Sequence, residues 1–196
     1  MEVEDEESIA AIFANLPSPQ AEEATSIFEM LLVRGVTERT AAIKVSELYS
    51  PPRVTAHGCL PELGLTAGQC FDLRGDAAGR RWNFLKAADR AECRRRVREE
   101  KPFVLIGSPP CVDYCLLNRN WNFPKMDAEE VRRRCVASQV LLRFAAELYA
   151  MQLEAGRHFL HEHPATAASW QDAKIEKIRR HPRVGEVTAH QCMFGL

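Results

Sequence analysis

Apolar positions in the first part of the chain recur at helical spacing and then give way to short, unbroken apolar runs. Ile9, Ile12, Phe13 and Leu16 share one helical face, and the acidic stretch from Met1 to Glu7 ahead of them is expected to fray. Ser18 followed by Pro19 supplies a cap and a first-turn proline. The helix it opens carries the stripe Ile27, Met30 and Leu31 and runs to Gly35. These two helices are expected to form an N-terminal extension over residues 1–40, ahead of an α/β domain over 41–196.

From residue 44 onward, short apolar runs alternate with longer helical stretches, the pattern of parallel strands joined by crossover helices. Strands are expected near 44–49, 69–73, 103–107, 157–161 and 185–190. Phe103-Val104-Leu105-Ile106-Gly107 is apolar throughout, as suits a strand covered on both faces, and Pro109-Pro110 stop it. A charged helix is predicted over 87–100. A longer one over 127–155 opens at Asp127, with Glu130 three positions on, and ends at Gly156. Val131, Cys135, Leu142, Ala146, Tyr149 and Leu153 mark its buried side. The expected fold is α/β: a Rossmann-like, doubly wound, mainly parallel sheet with helices on both faces, plus the helical extension.

With 46% hydrophobic and 27% charged residues among 196, the chain has the composition of one globular core. A formal net charge of -1 gives no overall basic character, so any nucleic-acid binding must come from local patches. Residues 74–101 carry ten Lys or Arg against five acids, and a second basic cluster runs from Lys174 to Arg183. Either patch can track a phosphate backbone or form the wet face of a helical layer. The seven cysteines make an odd set without a CxxC pair, and no stretch has the pattern of a signal peptide or a membrane span. An intracellular protein with free thiols is expected, in nucleus or cytoplasm, with no membrane partner.

In open parallel sheets, ligands sit beyond the C-terminal ends of the strands, so the residues after Gly107 stand where chemistry is usually done. They read Ser108-Pro109-Pro110-Cys111. Two prolines stiffen the arm that presents Cys111, and a thiol so placed is either a nucleophile or a small buried residue. A second strand-to-loop junction, Phe159-Leu160-His161-Glu162-His163-Pro164, places Glu162 51 positions after Cys111. Glu162 reads as a site carboxylate or as part of a solvated loop. Cys111, Cys115, His161 and His163 also offer zinc donors at loose spacings, although no metal is expected.

Pro109-Pro110-Cys111-Val112-Asp113-Tyr114-Cys115 resembles the catalytic loop of the DNA cytosine-5 methyltransferases, in which Pro-Pro-Cys is followed by two variable residues, Phe and Ser. Tyr114 keeps the aromatic, Cys115 stands for the serine, and Val112 replaces a common glutamine. Glu162 matches the glutamate of the family's Glu-Asn-Val strand end. The resemblance implies that Cys111 attacks carbon 6 of a flipped-out cytosine and that Glu162 holds its ring nitrogen and amino group. It further implies S-adenosylmethionine as cofactor, with Glu47, Asp72, Asn83, Ser108 and Pro109 as its binding residues, and nucleic acid as partner, DNA in preference to RNA. Glu47-Leu48-Tyr49-Ser50-Pro51-Pro52-Arg53 lacks the family's Gly-rich loop, and Asn83 stands where an aspartate is frequent.

Residues 44–196 also look like the methyltransferase-like segments of retrotransposon polyproteins. A domain truncated at its C-terminus, without target-recognition region or late cofactor motif, is expected on that basis. The alternative from another class is a catalytically silent nucleic-acid-binding or scaffolding remnant. Methylation of an exocyclic amino group is disfavoured, because Cys111 occupies the place of the stacking aromatic.

Overall fold

The computed structural model describes residues 43–56 and 60–190; the two expected N-terminal helices lie outside them. Four strands, β1 (Ile43–Leu48), β2 (Leu65–Phe71), β3 (Val104–Gly107) and β4 (His158–His161), form one sheet in the order β2-β1-β3-β4. All three pairings are parallel, so the fold is α/β with an all-parallel sheet. Helix α1 (Ala87–Glu100) joins β2 to β3, α2 (Ala128–Glu154) joins β3 to β4, and a short α3 (Ala173–Arg179) follows.

Register shows which side chains share a face. Ser46 pairs with Leu105, and Leu48 pairs with both Gly107 and Phe71. On that face Ser46 Oγ donates to Glu100 of α1 at 2.7 Å, while a side chain at Gly107 would strike Tyr149 of α2. Both long helices therefore lie on one face and touch there: Phe84, just before α1, packs on Phe144 of α2 at 4.8 Å, and Arg94 pairs with Glu147. Leu48, Phe71, Trp82, Cys93, Val97, Leu105, Leu142 and Leu148 form the core between them. Glu47 and Ile106 point to the other face, where the chain after β1 returns over Glu47; no helix covers that face among the described residues.

The long helix starts as its sequence requires, with the Asp127 carboxylate accepting from Glu130 N–H at 3.0 Å, and stops before Gly156, whose φ is 74°. Gln152, fully buried, gives its amide to the carbonyls of Pro102 and His158 at 2.9 and 2.8 Å and so ties the starts of β3 and β4 to α2. β2 begins four residues ahead of the expected 69 and carries a bulge opposite Ser46, where Gly68 lets the backbone pass close to Val45 and Ser46.

The expected fifth strand at 185–190 is not formed: this segment has no ladder partner among the described residues, and Val187 is 82% exposed. Its polar run has no apolar face to bury, and Glu186 is tied back to Arg179 at 2.6 Å. No described helix is long and apolar enough to cross a membrane.

Candidate active site

The strands end level with one another. Leu48 pairs with Phe71 and Gly107, and Gly107 with His161, so Tyr49, Asp72, Ser108 and Glu162 all open loops on one edge of the sheet. The chain leaves β1 toward β2 on one side and leaves β3 toward β4 on the other. The gap between the β1 and β3 ends is thus the topological switch point, the usual ligand position in such sheets. Tyr49 there holds φ at 62°, a costly backbone for a side chain other than glycine. Its N–H bonds Phe71 C=O at 2.9 Å, and its hydroxyl donates to Leu141 C=O at 2.7 Å.

The arm bearing Cys111 is gripped at several points. Ser108 N–H bonds Leu48 C=O at 3.2 Å, and the Pro109 carbonyl accepts from His163 Nε2 at 2.9 Å. Beyond the cysteine, Asp113 accepts from Arg134 and Ser138 of α2. Cys111 itself caps a 3-10 turn, its carbonyl accepting from Tyr114 and Cys115 at 2.9 and 3.1 Å. Its thiol is partly exposed. Burial pushes its pKa up, and the nearby charge of Glu162 acts in the same direction, so the thiolate is disfavoured.

Glu162 follows the neighbouring strand. Its N–H bonds Gly107 C=O at 3.0 Å and its side chain is exposed. The structure thus brings Cys111 and Glu162, far apart in sequence, onto adjacent strand ends and within electrostatic reach.

The two histidines flanking Glu162 turn inward. His161 shares a 3.1 Å hydrogen bond with Tyr149, and burial, helped by His163, lowers its pKa to about 4. Their rings stack at 5.2 Å. His163 is fully engaged, Nε2 with Pro109 and Nδ1 with Ser169. No group of three or more His, Cys, Asp or Glu side chains able to hold a metal occurs among the described residues.

The candidate cofactor residues divide. Glu47 is 1% exposed, and its Oε1 accepts from Arg53 N–H, Thr55 N–H and the Thr55 hydroxyl at 3.0, 2.8 and 2.7 Å. Burial alone would raise its pKa, but these donors hold it below the usual value. Its carboxylate is therefore spent on shaping the β1–β2 loop. Substitution by Gln, which keeps an acceptor and loses the charge, is expected to cost about 1 kcal/mol in urea unfolding at pH 7; an unchanged midpoint would mean the loop is held by other contacts.

Asp72 is partly exposed at the end of β2. One carboxylate oxygen accepts from Arg74 N–H at 2.8 Å and the other has no partner among the described residues. Asn83 closes a turn into α1, its Oδ1 accepting from Leu85 N–H at 3.1 Å. The Asp72 carbonyl accepts from Trp82 N–H at 2.9 Å, which keeps this second loop against the end of β2. Ser108 and Pro109 stand at the switch point.

Four of the ten basic residues of the first patch are paired within the fold: Arg80, Arg94, Arg95 and Arg96 meet Asp89, Glu92, Glu99 or Glu147. A different surface lies beside Cys111. Val112, Leu116, Leu117 and Trp121 are exposed around a π-helical turn, Asn118–Asn122. Of the residues that grip the arm, Ser169 and Arg134 carry no motif in the sequence, while His163 and Asp113 stand inside the two segments marked for chemistry but their hydrogen bonds to Pro109, Arg134 and Ser138 are set by the fold.

Comparisons with models of protein families, with curated proteins and with solved structures return no match to this chain.

Proposed function

We propose that this chain is an S-adenosylmethionine-dependent methyltransferase-like domain that acts on cytosine in nucleic acid, DNA in preference to RNA, with Cys111 as nucleophile. The observation that carries the reading is the convergence of Cys111 and Glu162 on adjacent, level strand ends at the C-terminal edge of a parallel sheet. The β2-β1-β3-β4 order with its switch point supports the Rossmann-like part of the assignment, whereas the expected second helical layer gains no support from the described residues, whose two long helices share one face. The five described cysteines, all free thiols, accord with an intracellular setting, nucleus or cytoplasm.

In this reading the Cys111 sulfur adds to carbon 6 of a base taken out of the stack as the thiol proton passes by way of Glu162 to the ring nitrogen, making carbon 5 nucleophilic, while Glu162 also accepts from the amino group. S-adenosylmethionine, when bound, supplies an electrophilic methyl group. Solvent water then takes the carbon 5 proton, the thiolate leaves carbon 6 and recovers its proton from the ring nitrogen, and Cys111 and the aromatic ring are restored. Asp72, with one free carboxylate oxygen, and Asn83, with a free amide nitrogen, fit the polar half of an adenosyl site; Ser108 and Pro109 border it. Glu47 enters as the residue that shapes the adjoining loop. Because burial and the nearby charge of Glu162 disfavour the thiolate, the activation of Cys111 falls to the bound state, where Glu162 takes up the thiol proton and passes it to the base.

An oligonucleotide bearing 5-fluorocytosine tests the chemistry, since fluorine in place of the carbon 5 proton blocks release after methyl transfer. A denaturation-resistant adduct is expected only with S-adenosylmethionine present. Cys111→Ser should abolish it and Cys115→Ser should retain it. An adduct that survives loss of Cys111 overturns the nucleophile. The second reading, a catalytically silent nucleic-acid-binding or scaffolding remnant of a retroelement polyprotein, is favoured by the sealed Glu47. It predicts no heat of binding when S-adenosylmethionine is titrated into the protein and no adduct with any oligonucleotide.

A further inference from the structure

The arm Pro109-Pro110 has no N–H to offer, so only its carbonyls can anchor it by hydrogen bonding. His163 takes the carbonyl of Pro109. A carbonyl accepts and cannot donate, so the proton of the neutral ring sits on Nε2, leaving Nδ1 as an acceptor. The group facing Nδ1 is the hydroxyl of Ser169, at 2.5 Å and 0% exposed, which donates to it. Ser169 lies in a 3-10 turn, Ala168–Gln171, outside every segment that the sequence marks for chemistry. The ring plane is set by its neighbours: His161 stacks on it at an interplanar angle of 22°, and the Trp170 and Tyr114 rings meet it edge to face at 6.3 and 6.0 Å.

We infer that Ser169, acting through His163, is a positioning residue for the Cys111 thiol: the relay from the Ser169 hydroxyl through the imidazole to the Pro109 carbonyl holds the proline arm against the loop that bears Glu162. Its upstream neighbour, Ser108, is held by β1, and its downstream neighbour, Asp113, by α2. The relay is the tie between them, and it comes from the residue next to Glu162. A catalytic consequence rests on the cytosine methyltransferase reading. The effect on the surroundings of the thiol does not.

The test uses the full chain and three readouts. In long-range proton–nitrogen spectra of protein labelled with nitrogen-15 histidine, His163 is expected as the Nε2–H tautomer at pH 7; an Nδ1–H tautomer overturns the relay. The second readout is the rate of Cys111 alkylation by iodoacetamide, located by peptide mass mapping between pH 7 and 10. Releasing the arm admits water, so Ser169→Ala and His163→Leu should raise the rate at pH 8 by about fivefold and move the profile toward that of an ordinary thiol. Alkylation of Cys135, on α2, should not change.

His163→Gln, whose amide nitrogen reproduces the Nε2 donor, should return the Cys111 rate to within about twofold of the original, the scale of one retained hydrogen bond. Equal Cys111 rates in the unaltered chain and Ser169→Ala, with both folded, overturn the proposal. If His163→Leu does not fold, Ser169→Ala and His163→Gln still decide it. The third readout separates the two ideas: a 5-fluorocytosine trap that fails with the unaltered chain defeats the methyltransferase reading alone, because the alkylation rates stand without it. Where the trap succeeds, Ser169→Ala should slow adduct formation at saturating oligonucleotide while leaving the half-saturating concentration unchanged.

Discussion

Replacing Gly107 by alanine is expected to lower the unfolding free energy by about 3 kcal/mol, the upper range for forcing a methyl group into a packed core. A β-carbon there would collide with the Tyr149 hydroxyl and stand 3.0 Å from Cζ and 3.2 Å from Cε1 of the same ring. Tyr149 cannot step aside. It is fully buried, its ring stacks on Phe159 at 4.5 Å, and its hydroxyl is bonded to His161. Tyr149→Phe should therefore recover part of the loss, because only the two longer contacts then remain. The phenylalanine variant alone should cost about 1 kcal/mol, the value of one hydrogen bond. Urea unfolding of the two single variants and the double variant completes the cycle. Strict additivity would show that the ring does not lie over Gly107. Such a result would also loosen the end of β3, from which the Cys111 arm departs.

Lowering the pH from 7 to 5 is expected to remove about 2 kcal/mol of stability through His161. Burial, with the neighbouring charge of His163, depresses its pKa from 6.5 to about 4. Between those values the unfolded chain binds a proton that the folded chain does not. Stability is thus fully present above pH 6.5 and is lost as pH falls toward 4. His163 is also lowered by burial, against the pull of its Pro109 bond and of Glu162, and acts in the same direction. His161→Gln keeps a hydrogen-bonding partner for Tyr149 without a titrating group. Its stability should fall less over the same interval, and a slope equal to that of the unaltered chain would assign the acid sensitivity elsewhere. Glu47, held below the usual carboxylate range, adds its own loss only below that interval.

Much of the fold was legible where local pattern and burial agree. The unbroken apolar run at 103–107 is the central strand β3, and α2 begins at Asp127 and stops at Gly156 as its caps dictate. α1 spans the predicted residues, although only Cys93 and Val97 are deeply buried, because ion pairs along its exposed side, such as Glu92 with Arg95 and Arg96, accompany a short apolar seam. Legibility failed at the sheet edge. The first half of β2, Leu65 to Gly68, is exposed or half-buried and lacks alternation, so its strand character comes from pairing with β1. The mostly polar 185–190 segment resembled a strand in spacing alone and finds no partner.

At the site, the proline arm after a strand drew attention to Cys111 from the chain alone, and the resemblance to the cytosine-5 methyltransferases drew it to Glu162, because a proline arm and a strand-end carboxylate are features of local sequence. What only the tertiary structure decided is how their neighbours are used. Glu47 is turned inward to hold a loop, and His163 reaches a carbonyl 54 residues away, steadied by Ser169. Hydrogen bonds of this kind leave no periodicity or spacing in the sequence, since each joins groups that meet only after the strands have come level in the sheet. The chain's own pattern determined which segments become strands and long helices; packing determined which polar groups are spent on the scaffold and which remain free at its edge.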